Sequence, residues 1–184
     1  ADVLWDWDSW LSNVALRQIL NEFGTDEDKE QAVKYERGCV QNYLCGVKIN
    51  GWIPISIHRN SERKQPSDLY AHNMHKPCLA QHAAFLVQQS GGDAEWLREG
   101  EGLFGLQKFI NNYRNHHKHP CGIYYWQDDG AIGVDNDPCT FNRPPKSSGS
   151  IYLNCLMYKE LEALAYLCRQ LDFGEIAEQY QKDA

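Results

Sequence analysis

Apolar residues recur at three- and four-residue spacing over roughly 8–23, where Leu11, Val14, Ala15, Leu16, Ile19 and Leu20 predict an amphipathic helix ending at Gly24. Trp10 shares a stripe with Val14 and is expected in the core, with Asp8 or Ser9 as the helix cap. Thr25-Asp26-Glu27-Asp28 then predicts a second helix to about Cys45, its acidic first turn favoured by the helix dipole. Periodicity is lost from Gly46 to Gln65, an extended loop with Trp52-Ile53-Pro54-Ile55 as its apolar centre. Pro77 opens a third helix to about Ser90, and Gly91-Gly92 breaks it. Asp93 caps a fourth, carrying Trp96, Leu97, Leu103, Leu106, Phe109, Ile110 and Tyr113, with Gly100, Gly102 and Gly105 weakening its middle. A long segment over 119–149 precedes a fifth helix over about 151–171 and a sixth from near Gly174.

Short and long connections therefore alternate between helices. That order suggests helical hairpins set in a ring, an all-α toroid whose long loops gather on one face and carry the polar groups of a site. No short-period repeat marks a solenoid.

Composition narrows the classes. With 184 residues and 42% hydrophobic content, the chain is expected to form one domain over 1–184, with no second domain. A formal charge of −7 with no basic stripe argues against a nucleic-acid partner, and the absence of an 18-residue apolar run argues against a membrane span. The seven cysteines are odd in number and lack a Cys-x-x-Cys pair, so they read as reduced, buried, small apolar residues in a reducing compartment such as the cytoplasm. His116, His117 and His119 follow a helical run and precede Pro120, a position suited to capping a helix end more than to binding metal. The chain begins with Ala1 and its first motif follows at once, so it reads as an excised or processed piece.

Two clusters carry candidate chemistry. Gly133-Val134-Asp135-Asn136-Asp137-Pro138 follows the apolar run Ile123-Tyr124-Tyr125-Trp126 and places Asp135 in a turn beside aromatics, the setting of a sugar-cleaving acid. The same residues also suit a plain polar turn, or a structural calcium site with Asp128, Asp129, Asp135, Asn136 and Asp137, although the spacing fits no EF-hand. Otherwise no cofactor or metal is expected. Leu4-Trp5-Asp6-Trp7-Asp8-Ser9-Trp10 packs three indoles and two carboxylates into seven residues. Pyranose C–H faces stack on indole while the hydroxyls donate to carboxylates, which makes Trp5, Trp7 and Asp8 site candidates.

Trp5-Asp6-Trp7-Asp8-Ser9-Trp10, His75-Lys76-Pro77, Gly133-Val134-Asp135-Asn136 and Ser150-Ile151-Tyr152-Leu153-Asn154 resemble, in order, motifs of the six-hairpin glycosidases. Glycoside hydrolase family 63, the trehalases and the mannosylglycerate hydrolase-like enzymes are the nearest in pattern, over Trp5 to about Leu171. The resemblance implies part of an (α/α)6 barrel that hydrolyses an α-glycosidic bond with inversion, α-glucoside before α-mannoside. It implies Asp135 as general acid and Trp5, Trp7 and Asp8 as residues that hold the sugar, with Lys76 in a family motif; Trp126 and Asn136, near Asp135 in the sequence, complete the expected sugar-binding set.

Departures accompany the resemblance. Ala131-Ile132 stands where a Glu-Ser pair usually precedes the acid motif, and the residues before Lys76 differ from the usual Ser-Lys/Gln-Pro-Pro. The family's base is a glutamate far downstream, which here would lie beyond Ala184. Inversion requires an acid and a base about 6.5–9.5 Å apart, so the 184 residues are expected to need the remainder of their own catalytic domain. The alternative is a non-catalytic carbohydrate-binding helical module on the same ring of hairpins.

Overall fold

The computed structural model describes residues 3–58, 73–134 and 137–184. The described chain is mostly helical, with seven α-helices and one two-stranded antiparallel ribbon. β1 (Val3–Trp5) pairs with β2 (Ser56–His58), Trp5 lying opposite Ser56. The helices are α1 (Asp6–Phe23), α2 (Asp26–Cys45), α3 (Leu79–Gln89), α4 (Gly102–His116), the short α5 (Asp129–Ile132), α6 (Ile151–Gln170) and α7 (Gly174–Asp183).

The chain writes its helix starts locally. Thr25 caps α2 reciprocally: its hydroxyl accepts from the Asp28 amide at 3.1 Å, and its own amide donates to Asp28 Oδ2 at 2.9 Å. Ser150 caps α6 by accepting from the Leu153 amide at 3.2 Å. Hairpins join α1 to α2 and α6 to α7, through connections of two and three residues, whereas α3 and α4 do not pack as a pair and each lies on α2 and α6 instead.

α3 is the middle helix, packed against α1, α2 and α6, while α4 packs on α2 and α6. It buries Leu79, Ala80, Ala83, Ala84, Leu86 and Val87, an apolar surface on most sides that suits a helix enclosed by neighbours. Phe109, Ile110 and Tyr113 from α4 and Leu153, Met157, Leu161 and Leu164 from α6 complete the core.

Several expectations are corrected. The fourth helix is two elements, a 3-10 turn (Glu95–Arg98) and α4, because the chain takes a positive φ of 56° at Gly100 between them. α1 starts two residues earlier than its apolar pattern suggested, and its N-cap residue is Trp5, so neither Asp8 nor Ser9 caps it. Its buried face is polar: Asp6, Ser9, Asn13 and Arg17 face inward, whereas Leu11, Leu16, Ile19 and Phe23 are exposed, Phe23 to 81%. The cause is paired polar burial. Arg17 forms a two-pronged ion pair with Glu36 of α2, and Asn13 shares a 2.8 Å hydrogen bond with His82 of α3.

Trp10 is only partly buried and borders an open groove with Val14, Ala84, Phe85 and Tyr166. Of the cysteines, all of them free, Cys78 and Cys168 are buried, while Cys45, Cys121, Cys139 and Cys155 are exposed. His116 ends α4 and His117 caps it, as their position in the sequence suggested.

Candidate functional site

The start of α1 and the turn before α3 meet at a buried ion pair. Lys76 Nζ lies 2.9 and 3.0 Å from the two carboxylate oxygens of Asp6, and the Lys76 amide donates to Asp6 Oδ2 at 2.9 Å. Both side chains are 1–2% exposed. The turn itself is fixed from three directions. The Pro54–Met74 bridge ties it to the loop before β2, the His75 amide donates to Ile53 O at 2.9 Å, and Tyr113 of α4 donates to His75 O at 2.8 Å. The His75 ring sits edge-on to Tyr43 at 4.5 Å, and burial holds its pKa below the usual histidine range.

Aromatic rings cover this pair. The Lys76 ammonium lies 4.8 Å from the centroid of the half-buried Trp7 ring, a cation–π contact out of bulk water. Trp7 and Trp126 each flank Tyr152, with ring centroids at 6.2 and 5.8 Å. Trp126 is anchored where its indole N–H donates to Ser150 Oγ at 2.9 Å, so the α6 cap residue also holds a ring. Asn154 clamps the same segment, accepting from the Tyr124 amide at 3.0 Å and donating to Tyr124 O at 3.1 Å. Burial raises the Tyr152 phenol above its ordinary pKa, so it remains protonated at neutral pH.

Gly133 completes the contact. It ends α5 with a φ of 72°, and a Cβ there would stand 2.5 Å from Lys76 Cε, 2.6 Å from Lys76 Nζ and 3.6 Å from the Trp7 ring. Only a residue without a side chain fits this close approach at this φ. The strand–helix junction, the Lys76 turn, the Gly133 turn and the start of α6 thus converge, although up to 145 residues separate them in sequence.

The expected site residues fall in different places. Trp7 keeps part of its ring open, and Asp8 is exposed beside it in sequence. Trp5 is half-buried at the end of β1. Lys76 and Trp126 are expected to touch sugar, but they lie beneath the surface at 1% and 2% exposure, where an ion pair and ring packing occupy them. Asp135 and Asn136 lie outside the described residues. The acidic loop is therefore described only in part. Among the described residues no group of three His, Cys, Asp or Glu could hold a metal ion. Behind Trp126, Asp128 Oδ1 and Ser148 Oγ are buried without a hydrogen-bond partner among the described residues.

Sequence reasoning missed the roles of Asp6, Gly133, Ser150 and Tyr152. Asp6 had a visible signal, a carboxylate between two indoles, but its partner is 70 residues away. Among the described residues, no helix is long and apolar enough to cross a membrane. Compared with known proteins, the chain matches no family model, no curated protein and no solved structure.

Proposed function

We propose that this chain carries the acid-side wall of an inverting α-glycoside hydrolase, built on helical hairpins of an (α/α)6 toroid. The observation that carries this reading is the convergence of the four motifs on the Asp6–Lys76 pair beneath Trp7. The exposed apolar residues of α1 and the side-by-side packing of α1, α3 and α6 suit an arc that further hairpins would extend.

In this reading Trp7 offers its open face to a pyranose, and Asp8, Trp5 and Asn136 take hydroxyls and neighbouring surface. Lys76 and Trp126 act as the floor that fixes Trp7 and Tyr152, instead of touching the sugar. Asp135, two residues after Gly133 in the sequence, is the general acid that protonates the glycosidic oxygen. The water that attacks from the opposite face needs a base about 6.5–9.5 Å from the acid. Asp6, Glu36 and Glu160 are unsuited to that role, since Lys76, Arg17 and the first turn of α3 already occupy them. The base is assigned to the remainder of the catalytic domain, the substrate to α-glucosides before α-mannosides, and the compartment to the cytoplasm.

The test is hydrolysis of a panel of α-glucosides and α-mannosides by the full-length encoded protein, followed by proton NMR of the first anomer released. The wild type is expected to release the inverted β-anomer, and Asp135→Asn to lower kcat by about 10²–10⁴, the usual worth of a general acid. Equal turnover by the two proteins would remove Asp135 from the chemistry. Sugar binding without turnover in either would replace the hydrolase with a carbohydrate-binding module.

A further inference from the structure

Glu160 lies two turns along α6 from the Tyr152 wall, with no accessible surface. Among the described residues, no cation pairs with its carboxylate. Oε1 accepts from the Ala80 amide at 2.7 Å and Oε2 from the Gln81 amide at 3.1 Å, so one side chain satisfies two of the amides that the first turn of α3 leaves unpaired. Cys78, the N-cap residue of α3, has no side-chain cap bond, so this capping comes from another helix. Gln81 reinforces the junction, its side-chain amide donating to Pro77 O at 2.8 Å and Leu156 O at 3.2 Å. The turn held in this way carries His75, Lys76 and Pro77. One end of α6 therefore carries the aromatic wall, while its middle grips the start of the helix that presents the ion pair.

We propose that Glu160 is a positioning residue that keeps the Tyr152 wall in register with the Lys76 turn, and that its protonation loosens this register. As a carboxylate it accepts both amide protons. When protonated, one oxygen carries a hydrogen and no longer serves as a good acceptor, so one amide of the α3 turn loses its partner. Burial pushes the Glu160 pKa up to about 7, against the pull of the Ala80, Gln81 and Leu79 amides and the Gln81 side chain. The titratable groups that sense its charge are Cys78 at the start of α3 and Tyr113 on α4, both held neutral by burial. None of the described ion pairs includes Glu160. The register thus responds to pH in the neutral range.

The experiment is a pH titration of the ¹⁵N-labelled protein by NMR between about pH 3.5 and 8.5, which requires no sugar and is independent of the glycosidase reading. The Ala80 and Gln81 amides should shift with a common midpoint near 7, and the Trp7 and Trp126 indole signals should follow the same curve. In Glu160→Gln all four should lose that transition. A midpoint below about pH 5 for the two amides would overturn the proposal, since an ordinary glutamate titrates near 4.3. Titrating amides with static indole signals would also overturn it, leaving Glu160 a local cap that is not coupled to the site. The wild-type titration alone decides both points if the variant fails to fold.

Discussion

Replacing Lys76 with methionine tests whether the buried pair, and not only ring packing, holds the site together. Methionine keeps the apolar stem but removes the ammonium, leaving the Asp6 carboxylate at 1% exposure with the Lys76 amide as its remaining hydrogen-bond donor among the described residues. Stranding one member of a buried pair costs about 3–5 kcal/mol, and the retained amide bond puts this case near the lower end, about 3 kcal/mol. At roughly 2–4 °C per kcal/mol for a chain of this size, Tm should fall by about 6–12 °C. The assay is a double-mutant cycle by urea and thermal unfolding, with Lys76→Met, Asp6→Leu and the double variant. Removing both charges leaves no stranded ion, so the double variant should be more stable than Lys76→Met alone, with a coupling of at least about 2 kcal/mol. A loss below about 1 kcal/mol for Lys76→Met, or strictly additive single effects, would refute the assignment.

Two further outcomes follow from the same geometry. Gly133→Ala combines a φ of 72° with a methyl 2.5 Å from Lys76 Cε, so it should cost about 2 kcal/mol and perturb Trp7 fluorescence, whereas Gly91→Ala, where nothing lies within 4 Å, should leave Trp7 unchanged. Urea melts at a series of pH values should expose Glu160. Its folded pKa is raised from 4.5 to about 7, so the folded state holds more protons across that window, and this group's contribution falls as pH rises through it, because relief of the buried charge on protonation outweighs the amide bond lost. The stability difference between wild type and Glu160→Gln should therefore drift by on the order of 3 kcal/mol from pH 4.5 to pH 7.5, and a flat difference would contradict the buried-carboxylate picture.

Local chemistry made much of the fold legible. The capping pair Thr25 and Asp28, the break at Gly91-Gly92 and the glycine past Phe23 act within a few residues, so they set helix ends wherever the helix packs. The Trp5–Trp10 cluster and the Gly133 turn were also visible, because unusual residue density needs no tertiary context. α1 was misread on its orientation. Its apolar stripe is real, but Arg17 and Asn13 find partners on α2 and α3, and satisfying those buried polar groups decides which face turns inward. The same physics hid Glu160, one of two acidic residues in α6, whose two amide partners lie 80 and 79 residues away.

The sequence by itself determined that the chain is helical, where most helices begin and end, and which motifs are dense in indoles and carboxylates, since each depends on contacts within one or two turns. Only the tertiary structure decided that Asp6 pairs with Lys76, that Trp126 and Lys76 lie beneath the surface while Trp7 stays partly open, and that Gly133 closes on the ammonium. Those facts depend on partners well beyond one or two helical turns in sequence, Asp6 and Lys76 being 70 residues apart. A buried charge or amide settles on whichever partner the packed core brings within hydrogen-bond distance, and no local pattern records that choice.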